Sequence, residues 1–229
     1  MNQAGPALLA VAHGTRDPAG TASTEELLDR VRELRPGLPV ILAYVDVVGP
    51  HLSDVLAGLC GEVVLVPLLL GTGFHIRVDI PDALAAAPHV RARISRALGP
   101  HPLLASALAD RLAEVRAPAR GPVVLASAGS SDPTSRAATA TMATLLTRRL
   151  GRPAIPSYLC GGAPTPAAAV AALHAEGHRD VAVASYLMTP GFFARKAASS
   201  GTGTVTSAPL GAHEAVARLI LDRYDGARR

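Results

Sequence analysis

The chain has no tryptophan, three phenylalanines and four tyrosines among its 229 residues. Its core must therefore be built from aliphatic side chains and alanine. Lysine is almost missing too: Lys196 stands alone, and arginine carries the positive charge. Arginine is the better bidentate partner for carboxylates, which suits an acidic ligand. The net charge of only +4 is not the dense basic stripe of a nucleic-acid binder, so no nucleic-acid partner is expected. The two cysteines, Cys60 and Cys160, offer neither metal spacing nor a disulfide framework. No apolar run approaches the roughly 20 residues that span a bilayer, and no basic segment precedes an apolar stretch at the start. The expectation is a soluble, cytoplasmic protein without a membrane partner.

What is present is a repeat. The segment from Leu8 to Pro18, centred on Ala12-His13-Gly14, returns from Val123 to Pro133. Gly14, Asp17 and Pro18 recur as Gly129, Asp132 and Pro133, but His13 has become Ala128. Further on, Gly73-Phe74-His75 aligns with Gly191-Phe192-Phe193, so His75 has become Phe193. A scaffold that keeps its turns while dropping two imidazoles points to one reactive site, built mainly by the first half.

Short apolar runs alternate with helical patterns in both halves. The runs cover residues 7–12, 40–45, 63–70 and 90–94, then 123–127, 154–159, 181–187 and 202–206. Apart from the weaker run 90–94, where Arg91 and Arg93 alternate with apolar residues, they lack polar alternation, as expected of strands buried on both faces of a parallel sheet. Helices are expected at 25–34, opened by a Ser23-to-Glu26 capping box, from Pro50 to near Cys60, and at 81–87 and 103–115. In the second half they fall at 135–150, 166–176, 192–199 and 214–223. The order predicts an α/β protein of two similar lobes, 1–115 and 121–229, each a parallel sheet of about four strands flanked by helices. A Pro- and Gly-containing linker, 116–122, joins them.

Ligands of such folds sit beyond the carboxyl ends of the strands. His13 follows the first strand there, Asp46 the second, and the loop Gly71-Thr72-Gly73-Phe74-His75 the third. Gly73 lets backbone approach a ligand closely, but no Gly-Lys-Ser/Thr or dinucleotide fingerprint follows, so no nucleotide is expected. His13 and His75 are the candidate metal ligands and catalytic bases, because two imidazoles and a carboxylate suit a first-row divalent ion. Asp46 has the alternative of capping the helix near Pro50. Its counterpart is Cys160. Asp17 and Asp132 read as turn residues. His101 and His213, kept in both copies, read as structural residues at helix starts, and His51, His89, His174 and His178 as surface. Arg16, Arg77, Arg195 and Lys196 flank the motif loops and can bind carboxylates. Ser127, Ser130 and Ser131 stand where the first half has its reactive loop.

The segments 13–18, 66–75 and Asp79-Ile80-Pro81, with Gly99-Pro100-His101-Pro102, closely resemble the sirohydrochlorin chelatase family in its double-length form. That resemblance implies a class II chelatase-like fold. It implies insertion of a divalent metal, Fe2+ or Co2+, into a sirohydrochlorin-like tetrapyrrole for siroheme or cobalamin synthesis, with His13 and His75 holding the metal. Asp46 stands where relatives often carry glutamate. Arg16, Gly73, Arg195 and Lys196 would hold the ring, in a monomer or homodimer. A histidine phosphatase is disfavoured, since Ala12 precedes His13 where those enzymes place arginine. A non-catalytic metal or tetrapyrrole carrier would use the same residues.

Overall fold

Each half of the chain builds a four-stranded parallel sheet, and the two sheets have the same strand order. The structure, a computed structural model, describes residues 5–71, 73, 75–130, 132–201 and 203–228, apart from the side chains of His75 and Ile76. The first sheet comprises β1 (Ala7–Ala12), β2 (Val40–Tyr44), β3 (Gly61–Pro67) and β4 (Val90–Ile94), ordered β2-β1-β3-β4. The second comprises β5 (Val123–Ser127), β6 (Ala154–Tyr158), β7 (Ala182–Tyr186) and β8 (Val205–Thr206), ordered β6-β5-β7-β8. The central strands lie between layers of helix. Every residue of β5 and β7 is buried, which explains why the runs lack polar alternation.

The first-half helices are α1 (Pro18–Leu34), α2 (Leu52–Gly58), α3 (Ile80–Ala85) and α4 (Pro102–Glu114), with a π-helical turn, His75–Asp79, ahead of α3. The second half supplies α5 (Pro133–Leu150), α6 (Pro166–Ala175), α7 (Phe192–Ala198) and α8 (Glu214–Arg228). Among the described residues no helix is long and apolar enough to cross a membrane. The expected start of α1 at Glu25 is wrong. The helix begins at Pro18, because Asp17 accepts a hydrogen bond from Ala19 N–H at 3.1 Å and Pro18 needs no donor at the first position. Ser23 to Glu26 therefore lie inside the helix, where Thr24 Oγ1 donates to Gly20 O. The mirror arrangement starts α5, with Asp132 accepting from Thr134 N–H at 2.9 Å. His101 and His213 are indeed helix-start residues. Their Nδ1 atoms accept from Leu103 N–H and Ala215 N–H at 3.2 and 3.1 Å. Burial, then the Arg223 charge, pulls the His101 pKa down, which favours the neutral ring that this acceptor role requires.

The two halves of the sequence do not pack as two separate halves. The last helix of each crosses over. α4 packs on α5 and β7, while α8 packs on α1, β3 and β4, and the two crossing helices touch one another. Equivalent arginines fasten them. Arg111 in α4 donates to Leu210 O at 3.1 and 2.8 Å, and Arg223 in α8 donates to Ala97 O and Leu98 O at 2.9 and 3.0 Å. The central apolar cluster accordingly mixes Leu8, Val64 and Leu108 with Leu125, Met142 and Tyr224. Two smaller clusters cover the outer sheet faces, under α2 and α3 on one side and α6 and α7 on the other.

Candidate functional site

The β1–β2 ladder continues past the ends of its strands and ties two of the candidate residues together. Val45 N–H donates to Ala12 O at 3.0 Å, and Asp46 N–H donates to His13 O at 3.1 Å. His13 and Asp46 are both exposed at this carboxyl edge. The imidazole Nδ1 of His13 lies 3.1 Å from Gly14 O. Gly14 is what allows the approach: its φ is +97°, and a Cβ there would stand 2.1 Å from Asp46 O. The second lobe reproduces the backbone without the ligands. Leu159 and Cys160 donate to Ser127 O and Ala128 O at 2.9 Å each, and Gly129 sits against Cys160 O.

Asp46 does not cap α2. That helix starts at Leu52 behind His51, with no side-chain cap bond. Instead Asp46 Oδ1 accepts from Val47 N–H at 2.7 Å, and Asp46 O accepts from Val48 N–H at 2.8 Å. The tight turn holds Val47 at φ +71°, a genuine strain for a β-branched residue. Its second-lobe counterpart is Gly161, at φ +60° without that strain. Such strain costs about 1–3 kcal/mol and collects at functional sites. We expect Asp46→Asn to melt like wild type, because the amide oxygen still accepts from Val47, and to lose activity about 10- to 100-fold, the scale of lost carboxylate support around a metal. Thermal melts and initial rates decide this, and a fully active Asn variant would remove Asp46 from the site.

The backbone of His75 opens the π-helical turn after β3, at the same edge. Its side chain, like Thr72, Phe74 and Ser131, lies outside the described residues. Among the described residues, no atom lies within 4 Å of a Cβ built on Gly73. Among the described residues no three His, Cys, Asp or Glu side chains form a metal cage. His13 and Asp46 thus supply two donors at an open edge. Ser127 is not at the edge as expected: it is buried and donates to Ser157 O at 3.2 Å, across the β5–β6 seam. Ser130 Oγ accepts from Asp132 N–H at 3.1 Å.

Arg16 is exposed beside His13. Arg195 pairs with Asp17, and Arg77, its counterpart in the first lobe, pairs with Asp132. Each of these two arginines, one in the π-helical turn and one in α7, thus reaches over to the aspartate that starts the first helix of the opposite lobe. The contact is repeated in the backbone: a Cβ on Gly191 would meet Thr15, and one on Gly71 would meet Ser135. The hydrogen bond from Arg195, followed by that from Ala19 N–H, holds the Asp17 carboxyl below its ordinary value. Hydrogen bonds from Thr134, with a smaller share from Arg77, do the same for Asp132. A depressed carboxylate stabilises the fold fully above the ordinary aspartate pKa, and that share is lost as pH falls through the lower folded value. Lys196 Nζ donates to Leu159 O at 2.5 Å, next to Cys160, and so sets a positive charge at the silent edge. A groove of about 520 Å3 between α1 and residues 208–212, lined by Glu26, Asp29, Glu33 and Arg111 among others, is separate from these residues.

The paired clasps were readable in principle, since Arg77/Arg195 and Asp17/Asp132 recur together in both copies. The turn at Val47 also left a trace, in the glycine at 161. Neither signal states which charge meets which.

The CbiX family model matches the chain twice, over residues 7–115 and 122–227. A sirohydrochlorin cobaltochelatase from Methanococcoides burtonii is 26% identical over 124 residues, which is 47% of this chain and 95% of that protein. Among solved structures, SirB from Bacillus subtilis with Fe3+ aligns with a TM-score of 0.76 at 22% identity, over 98% of this chain and 96% of that one. The sirohydrochlorin chelatase SirB from Bacillus subtilis subspecies spizizenii in complex with cobalt aligns with a TM-score of 0.77 at 21% identity, over 98% and 95%.

Proposed function

Since this chain belongs to the CbiX family, with one family unit in each half, we propose that it is a sirohydrochlorin chelatase that inserts Fe2+ or Co2+ into the macrocycle. The observation that carries this reading is the asymmetry of the duplicated edge. His13, Asp46 and His75 follow successive strands of one lobe, and Ala128, Cys160 and Phe193 replace them in the other.

Metal insertion must strip water from the ion, bring it to the ring and remove two pyrrole protons. A neutral imidazole can ligate a divalent ion and also take up a proton near neutral pH. His13 and His75 fill those roles in the proposal. Asp46 adds the negative charge that a dication favours and is held toward the same edge by its backbone bond to His13 O. The metal is a substrate here, and no nucleotide is required. The macrocycle carries eight carboxylates. Arg16 and the clasp arginines Arg77 and Arg195 flank the edge loops, and Gly73 leaves room for close approach. Ring carboxylates would compete with Asp17 and Asp132 for the two clasp arginines.

The test is an anaerobic absorbance assay with metal-free sirohydrochlorin and each ion in turn. Turnover beyond one equivalent is the expected result with at least one of the two metals. Binding of metal or macrocycle without turnover would make the protein a carrier instead. Cobalt binds nitrogen and oxygen donors more tightly than iron as a general rule, so the assay should compare rates at saturating metal.

A further inference from the structure

The three phenylalanines of this chain are Phe74, Phe192 and Phe193; Phe74 falls in the sequence after β3, and Phe192 and Phe193 open α7 after β7, the third strand of the second lobe. Phe192 is the counterpart of Phe74. It is 67% exposed, the most open of the large apolar side chains described. An isolated exposed apolar residue ordinarily needs no explanation. This one is distinguished by its place and by its support.

Its place is the lobe boundary beside the candidate ligands. A Cβ built on Gly191, the residue before it, would lie 3.3 Å from Thr15 Oγ1 and 3.9 Å from Asp17 Cβ, two and four residues past His13, and Arg195 in the same helix as Phe192 pairs with Asp17. The support is Phe193. That side chain turns inward onto the cluster of Val124, Val183 and Ala197. Its ring stands edge-on to Phe192, with centroids 5.4 Å apart and planes at 68°. Edge-to-face contact is a favoured aromatic geometry and restrains both rings. The residue that replaced the second lobe's histidine thus serves as a pedestal: it holds one phenylalanine ring out into solvent at the rim of the site.

We propose that Phe192 is a positioning residue that binds the flat conjugated face of the tetrapyrrole, so that the lobe without metal ligands orients the ring presented to His13 and His75. The inference rests on the chelatase reading. A flat π-system gains from an aromatic partner without any hydrogen-bond match. The carboxylates at the ring periphery are then left to the arginines around it.

The experiment compares wild type with Phe192→Ala, Phe192→Leu and Phe192→Tyr. Metal-free sirohydrochlorin is titrated into each, with the ligand's own absorbance and fluorescence as the signal, and cobalt alone is titrated separately. Phe192 is exposed, so all four proteins should melt alike. We expect Ala and Leu to weaken macrocycle binding about tenfold and Tyr to stay within about twofold of wild type, with cobalt affinity unchanged throughout. In turnover, KM for the macrocycle should rise with kcat nearly kept, as when binding common to ground and transition states is removed. Wild-type binding in the Ala variant, or in the Leu variant, would overturn the platform while leaving the chelatase reading intact. If the wild-type protein binds no sirohydrochlorin, the chelatase reading fails and the platform with it.

Discussion

Replacing His13 by alanine is expected to leave the fold intact and to cut metal insertion about 100-fold or more, the usual scale for a positioned acid–base group. The structure supplies its own control for the first half of that statement. Ala128 occupies the equivalent position in the second lobe, where the same ladder forms: Cys160 N–H donates to Ala128 O at 2.9 Å, as Asp46 N–H donates to His13 O at 3.1 Å. These bonds use only backbone atoms, and the His13 side chain is exposed, so its removal leaves no buried cavity. His75→Ala should lose activity to a similar extent, since the second lobe carries no histidine at that position either. Initial rates at limiting metal, with thermal melts alongside, are the measurement. Wild-type rates in both single variants would remove the histidines from the chemistry and leave the family relationship untouched.

The second large effect concerns a glycine rather than a ligand. Gly14→Ala puts a Cβ 2.1 Å from Asp46 O, in a backbone conformation of φ +97° that side chains rarely adopt. Gly129→Ala meets the same obstacle in the silent lobe, with Cys160 O at 1.8 Å and φ +90°. In both positions the blocking atom is backbone, so relief requires the strand ends to separate. Each variant should lose about 3 kcal/mol of stability. For a chain of this size that is a drop in Tm of about 6–12 °C. The two should then part in activity. Below its melting temperature Gly129→Ala should retain most of the wild-type rate, because only Ala128 and Cys160 move apart. Gly14→Ala should lose activity nearly as His13→Ala does, because the shift separates His13 from Asp46. Equal activity in the two folded variants would show that the spacing of His13 and Asp46 does not matter to the reaction.

The comparison of these paired positions shows where sequence reading succeeds and where it stops. The repeat, the buried parallel strands and the loss of His13 and His75 in the second copy are local patterns. They can be read by aligning the chain with itself. His101 and His213 could be assigned to structure for the same reason: both copies keep them. The misplaced start of α1 has a local cause. Ser23 to Glu26 is a valid capping pattern, and Asp17-Pro18 is another, so pattern alone could not rank them. The earlier one prevails because Pro18 and Asp17 complete a first turn that the rest of the helix extends. Asp46 could also be read as a helix cap until the backbone showed α2 starting six residues later, at Leu52.

The sequence by itself determined a duplicated α/β scaffold, its strand and helix order, and a single edge where two histidines and an aspartate follow successive strands. Hydrophobic periodicity and residue substitution between copies are enough for that, because each depends on near neighbours along the chain. Tertiary structure alone decided which groups meet across the chain. It exchanged α4 and α8 between the lobes. It set Arg77 on Asp132, 55 residues away, and Arg195 on Asp17, 178 residues away. It also turned Phe193 inward and Phe192 outward. Contacts at such separations depend on how two twisted sheets pack against the helices between them, and no short-range pattern in the residues encodes that geometry.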